Sequence, residues 1–260
     1  MKKRVTSLFL ALLMAVTLLP VQVLADELAA PDTAMDTHQA AEVQEPVEAE
    51  TEADAPVSQE SVQDTAPLST GAVYTGTLGE NVNWSLDTGT GALAVTGSGA
   101  MDDYSQGTSP LWSCRSYIKS VTIADTVTSV GNYVFINCSN LTTVRLGSGI
   151  TSIGDRAFES CSALTAITIP DSVTSIGANA FYNCAALDKV TIPDLAAWLS
   201  ISFQGAYANP VTAARNLYVG DELLTELVIP DTVTEINPYA FYGCASINSV
   251  YLPRSVTSIG

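Results

Sequence analysis

Histidine is almost missing from this chain: among 260 residues only His38 carries an imidazole, and it falls in an acidic stretch near the N-terminus. No Ser or Cys in the rest of the sequence therefore has a histidine to act as its base, and the commonest zinc ligand is gone. The sequence predicts no enzyme, no metal site and no cofactor. Basic residues are scarce as well. Ten Lys and Arg stand against 27 Asp and Glu, a formal charge of −17, so binding a phosphate backbone would work against the field, and nucleic acid is excluded as a partner. Long apolar runs are lacking beyond Val5 to Leu19, which is shorter than the roughly 20 residues of a helical span. Phosphate-binding glycine patterns are missing too. Gly89-Thr90-Gly91 and Gly97-Ser98-Gly99 have neither the extended fingerprint nor a following helix, and read as turns.

Carboxylates abound, but not in catalytic company. Asp102-Asp103 is the best pair for a glycosidase; neighbours on a strand point to opposite faces, and no further acid falls at the separation such enzymes need. A solvated loop is predicted there. Asp125, Asp171, Asp194 and Asp231 recur after candidate strands. Without a glycine-aspartate nonapeptide run they read as turn residues rather than a calcium ladder.

What is present begins with an export signal. MKKR precedes the apolar run, Pro20 breaks it, and Val23-Leu24-Ala25 has the small-residue pattern of a cleavage site. Residues 1–25 are read as a signal peptide removed after Ala25, leaving no membrane span; an uncleaved anchor is the alternative. Residues 26–69 hold twelve acids, no Lys or Arg, and Pro31, Pro46, Pro56 and Pro67. Such a segment buries too little apolar surface to offset its ordering entropy, so a disordered acidic linker is predicted, with a recognition arm as the rival reading. The charge divides accordingly. Without Lys2, Lys3 and Arg4 the mature chain carries 7 − 27 = −20, of which the linker supplies −12 and the remainder, with 15 acids and 7 bases, −8.

The rest is dominated by one phrase written four times: SVGNYVFINC (129–138), SIGDRAFESC (152–161), SIGANAFYNC (175–184) and EINPYAFYGC (235–244). Val121, Val144, Ile167 and Val190 recur at 23 residues, then Leu227 after a unit of 37, then Val250 after 23. A fixed period of this size marks stacked coils. Within one unit Ile167 and Ile169 alternate with Ala166 and Thr168 as in a strand, Pro170-Asp171 ends it, Val173 and Ile176 turn inward, Gly177 suits a bend, and Ala180-Phe181 fill the interior. Burial of each recurring Phe is worth about 1.5–3 kcal/mol, which explains its recurrence without a ligand.

Leu164-x-x-Ile167-x-Ile169-Pro170, Val173-x-x-Ile176-Gly177 and Ala180-Phe181-x-x-Cys184 together resemble the BspA-like, Treponema-type leucine-rich repeats of bacterial surface proteins. The match spans roughly residues 118–260. Asn237 in place of Gly, Val134 in place of Ala, and Gly147-Ser148 in place of Pro-Asp are local departures. The resemblance implies a β-rich right-handed solenoid with a parallel concave sheet, display at the bacterial surface or beyond, and, in some relatives, adhesion to host matrix proteins.

Val82, Trp84, Leu86 and then Leu93, Val95 alternate around a turn-rich stretch, so residues 70–117 are assigned an N-terminal β-hairpin cap and a degenerate first coil holding Trp112 and Cys114. A separate carbohydrate-binding β module is the rival. The array follows over 118–260, with its 37-residue unit at 190–226, and is expected to continue past Gly260 because the last coil stops midway. In the long unit Leu195, Trp198 and Leu199 share a helical face behind Asp194 as N-cap, and Gly220-Asp221 predicts a hairpin. The five cysteines are read as unbridged apolar fillers, since one stacked register points their side chains in parallel and five is odd.

Selectivity is left to the exterior. The outward strand column is Thr122, Arg145, Thr168, Thr191, Val228 and Tyr251, flanked by Ser120, Thr143, Ala166, Lys189, Glu226 and Ser249. Binding candidates are Arg145, Thr168, Thr191, Val228 and Tyr251, with Trp198 and Tyr207 from the long unit; Arg and Tyr rank first because they are enriched at hot spots. The partner is an extracellular protein or glycan, and nothing in the sequence sets an oligomeric state. Two other readings stay open: the repeat arm of a larger exported enzyme, and a plain stiffening spacer.

Overall fold

The computed structural model of the chain describes residues 68–260. The expected signal peptide, His38 and all of the acidic linker up to residue 67 lie outside the described residues. The remainder is a β-rich solenoid of parallel strands with little helix. Three strands start it: β1 (Val73–Gly79), β2 (Val82–Asp87) and β3 (Ala92–Gly97), paired antiparallel in that order. The alternation of Val82, Trp84, Leu86, Leu93 and Val95 puts all five inside, as a half-buried pleated sheet requires. β3 then pairs in parallel with Ser120–Ile123, Leu93 opposite Val121, so the hairpin covers the first coil and starts its ladder.

From there the larger sheet grows by one strand per coil, through Thr143–Arg145, Ala166–Thr168 and Lys189–Ile192. A smaller parallel sheet runs along another side, built from Gly99–Ala100, Val127–Val130, Ser152–Ile153, Ser175–Ile176 and Ser202–Phe203. Neither strand of a coil can bury its apolar side alone; stacking closes the core between them. Phe135, Phe158 and Phe181 stack there with ring centroids 5.2 and 5.5 Å apart. Threonine corners tie the coils together: Thr142, Thr151, Thr165 and Thr174 each donate their amide and hydroxyl to the carbonyl of the residue 23 earlier.

The recurring glycine has a different cause from the bend read in the sequence. Gly131, Gly154 and Gly177 are not among the positive-φ residues; a Cβ on Gly177 would meet the Asp155 amide nitrogen at 2.5 Å, and one on Gly154 the Asn132 nitrogen at 2.6 Å. These glycines permit close approach of one coil to the next. Left-handed backbone falls instead two and six residues after each glycine, at Tyr133 and Asn137, Arg156 and Ser160, Asn179 and Asn183. The five cysteines are unpaired thiols. Cys161 and Cys184 donate to the carbonyls of Phe135 and Phe158 in the preceding coil, each at 3.2 Å.

The 37-residue unit is where the sequence reading requires correction. Its predicted parts form: α1 (Leu195–Leu199), whose Ala197 amide donates to Asp194 Oδ1 at 2.7 Å, and the hairpin joining Leu217–Val219 to Glu222–Leu223. Yet the unit is not one enlarged coil. Leu217–Val219 pairs in parallel with Lys189–Ile192, Val190 opposite Leu217, and so occupies the ladder place that a fixed repeat register assigned to Leu227. The antiparallel strand Glu222–Leu223 then ends the larger sheet. Among the described residues Glu226–Val228 pairs only with Ser249–Tyr251, and Glu235–Ile236 only with Ser258–Ile259.

Side chains, beside two backbone bonds from Asn237 N–H to Leu199 O at 3.3 Å and from Ala245 N–H to Arg215 O at 2.8 Å, bridge this seam in place of ladder pairing. Trp198 Nε1 donates to Ala240 O at 2.9 Å, Asn209 Nδ2 to Tyr239 O at 2.6 Å, and Asn237 Nδ2 to Ser200 O at 2.9 Å. Asn237, the residue standing in the glycine position, thus has a job that glycine lacks. Between Asn209 and the following strand lies α2 (Val211–Ala214).

Candidate ligand-binding surface

Alternation fixes which side chains leave the larger sheet. Val121, Ile167, Val190 and Leu217 are buried, so their neighbours form an outward column in which Thr122 lies opposite Arg145, Thr168 opposite Thr191, and Thr191 opposite Tyr218. Arg145 and Thr168 are exposed, Thr191 half-buried. Arg145 lies back over the previous coil: Nη2 is 3.2 Å from Asp125 Oδ1, and Nη1 donates to Ile123 O at 3.3 Å. Both members of that ion pair are open to solvent, so it orients the guanidinium more than it stabilises the fold. The Ser148 amide, donating to Asp125 at 2.9 Å, and next the Arg145 charge hold the Asp125 carboxyl below its ordinary pKa.

Val228 and Tyr251 do not join this column. They face each other on the separate two-stranded sheet and, with Pro230, Asp231, Leu252 and Pro253, line a recess of about 200 Å³. The split follows directly from the strand at Leu217–Val219. That strand brings in Tyr218, absent from the sequence-based candidates, with Lys189 Nζ 4.6 Å from its ring centroid, a cation–π distance. The signal was present in Leu217-Tyr218-Val219, which repeats the in-out-in pattern of Val190-Thr191-Ile192 at a spacing of 27 rather than 23.

Trp198 must be removed from the surface candidates. It is 1 % exposed, set edge-on to Phe203 at 5.1 Å, and committed to Ala240 through its indole N–H; packing explains it fully. Tyr207 is the opposite case, 49 % exposed and edge-on to Tyr182 at 4.9 Å. The seven candidates therefore occupy four places: the main column, the recess, the core and the Tyr207 edge.

A shallow polar groove of about 400 Å³ runs over the smaller sheet, lined by Ser129, Ser152, Ser175 and Gln204 among others. Its acids are engaged in holding backbone. Asp103 accepts from the Asn132 amide at 2.8 Å, Asn132 Oδ1 from Asp155 at 2.6 Å, and Asp155 from Ala178 at 2.6 Å. Asp102 and Asp103 lie exposed in the loop predicted for them, and Asp103 in addition starts a coil-to-coil ladder. Among the described residues no three His, Cys, Asp or Glu side chains converge as metal ligands, and no helix is long and apolar enough to cross a membrane.

The profile of the BspA type leucine rich repeat region matches residues 111–208 and 212–260, in six copies. No curated protein matches the chain. Among solved structures, a leucine-rich repeat protein from Eubacterium ventriosum is 24% identical with a TM-score of 0.42; the match covers 73% of this chain and 62% of that one, so this chain spans less than two thirds of its length. The T. pallidum leucine rich repeat protein is 23% identical, TM-score 0.40, over 68% of this chain and 82% of that one. A leucine rich cell surface protein from Faecalibacterium prausnitzii is 22% identical, TM-score 0.29, over 74% and 73%.

Proposed function

This chain belongs to the BspA-type leucine-rich repeat family, and on that premise we propose that it is an exported, non-catalytic scaffold that presents its larger sheet to an extracellular protein or glycan. Residues 1–25 direct export, 26–69 hold the folded part away from its attachment, 70–117 cap the stack and 118–260 carry the binding face. One observation supports this reading above the others: Arg145, Thr168, Thr191, Lys189 and Tyr218 share one face of a continuous sheet, while the apolar side chains of those strands are spent on the core. Arg and Tyr are the residue types from which interface hot spots are drawn. Adhesion to host matrix is the corresponding biological role.

Solid-phase binding of the full chain to a panel of immobilised extracellular-matrix proteins tests the reading. Arg145→Glu combined with Tyr218→Ala weakens binding by about tenfold or more, on the scale of a hot-spot pair. Undiminished binding by that variant, with loss in Val228→Ser plus Tyr251→Ala, moves the site to the recess on the two-stranded sheet. Hydrolytic activity carried by the same molecule would favour the alternative of a repeat arm serving an enzyme.

A further inference from the structure

The edge along which coils close carries a feature that the core does not require. Tyr182 and Tyr207, inside the array, are 45 and 49 % exposed; Tyr239 and Tyr242, 42 and 53 % exposed, line an opening shared with Ile259 and Gly260. Tyr182 and Tyr242 both follow the recurring Phe, where the earlier coils have Ile136 and Glu159. Since the fold accepts Ile or Glu there, stacking of coils does not demand a phenol. The rings are nonetheless held in order. Tyr182 meets Tyr207 edge-on at 4.9 Å, and Tyr239 meets Tyr242 at 6.0 Å. The coils that bear them are tied along this edge by Phe181 N–H to Tyr207 O at 3.1 Å and Asn209 Nδ2 to Tyr239 O at 2.6 Å.

Charge then narrows the ligand. Residues 177–187, 203–214 and 237–247 contain no Asp, Glu, Lys, Arg or His, in a chain of net charge −17. On the coil before them, Arg156 and Glu159 neutralise each other at 2.9 Å. Exposed Arg215, one residue past the second stretch and bonded through its carbonyl to the Ala245 amide, is a single cation, so a polyanion, a basic peptide or a protein surface with a charged rim would find little counter-charge here. Uncharged hydroxylated polymers lose nothing by that. Their C–H faces suit the negative faces of phenol rings, and Asn179 and Asn183 on the same edge offer amide donors and acceptors for hydroxyls. Aromatic side chains with few rotatable bonds, already held by neighbouring rings, lose little entropy on binding.

We propose that this tyrosine edge is a binding site for a neutral polysaccharide, separate from the sheet face that meets the ligand proposed above. Affinity electrophoresis of the full chain tests it, through gels containing a soluble β-glucan, a mannan or, as the charged comparison, polygalacturonate. Retardation by a neutral polymer is expected, unchanged between about 0.05 and 0.5 M NaCl because no ion pair is involved. Tyr182→Ser with Tyr207→Ser reduces the affinity at least tenfold, while Tyr182→Phe with Tyr207→Phe and Arg145→Glu leave it within twofold. Thermal melting certifies the fold of each variant, and Tyr182→Ser alone, with at least a threefold loss, is decisive if the double variant melts early. No retardation by either neutral polymer, equal retardation by polygalacturonate, or full retention in the folded serine variant overturns the proposal. Loss of a matrix-protein ligand in the serine variant, without polysaccharide binding, overturns it in favour of a protein-binding edge. Because Arg145→Glu tests the sheet and the serine variants test this edge, each reading can fail without the other.

Discussion

Phe158→Ala should unfold the array more readily than any comparable change near its ends. The ring is fully buried and lies between Phe135 and Phe181 at 5.2 and 5.5 Å, within 12° of parallel. Truncating a buried Phe costs about 3–5 kcal/mol, the spread reflecting how far the surroundings collapse into the space left. Collapse is blocked here, since amide bonds of 2.9 Å from Phe135 to Ala157 O and from Phe158 to Ala180 O hold the coils apart on either side. Two aromatic contacts are lost as well, each worth about 0.5–1.5 kcal/mol beyond burial. The loss therefore belongs near the top of the range, about 4–5 kcal/mol, or roughly three decades in the folding equilibrium. Phe241, its half-buried counterpart three coils on, supplies the control, with a cost about half as large. Urea titration followed by tryptophan fluorescence measures both, with an unchanged slope certifying the same unfolding unit. A loss for Phe158→Ala below about 2 kcal/mol, or no larger than that for Phe241→Ala, would refute the argument that a continuous ring stack carries the core.

Gly177→Ala forces a methyl to within 2.5 Å of the Asp155 nitrogen and should cost about 1–3 kcal/mol as overpacking; an unshifted urea midpoint contradicts the close-approach explanation. Asn209→Ala removes donors to Tyr239 O and Ala240 O and the acceptor for the Val211 amide, at about 2–3 kcal/mol for buried groups left unpaired. Hydrogen exchange should show that loss in the coils beyond Leu224 and spare residues 118–187; uniform loss throughout would mean the seam is not a boundary. Burial lifts the thiols of Cys114 to about 11 and Cys184 to about 12 from an ordinary 9.0, and Cys138 and Cys161 further still. Cys244 is half-buried where the other four are buried, so a disulfide reagent at pH 8 should reach Cys244 first and all five only on unfolding. The unfolded chain loses these protons near pH 9 while the native one retains them, so stability is full below that pH and falls as pH rises towards each native value. Stability that is flat up to pH 11 would show these thiols to be solvated.

The period, the buried Phe register, α1 and both hairpins were legible because each rests on local pattern: a spacing, an alternation, an N-cap aspartate or a Gly-Asp turn. Two things were not. The glycine was attributed to its own backbone, whereas its neighbour is a residue 22 positions away, invisible without knowing how coils stack. Tyr218 was hidden because the 23-residue register is so regular that Leu227 looked like the next rung, and a strand at a spacing of 27 had no place in that count. Trp198 illustrates a third limit. An aromatic residue in an insertion is equally suited to a surface or to a plug, and only its distance to Ala240 decides between them.

The break between Leu217–Val219 and Glu226–Val228 also has a mechanical meaning. Elsewhere, tension along the stack is shared among many short amide links acting side by side, whereas across that boundary it falls on two such links, at Asn237 and Ala245, and on the side chains of a tryptophan and two asparagines. Stretched from both ends, the molecule would fracture there first, shedding its distal rungs while the proximal ones kept their shape.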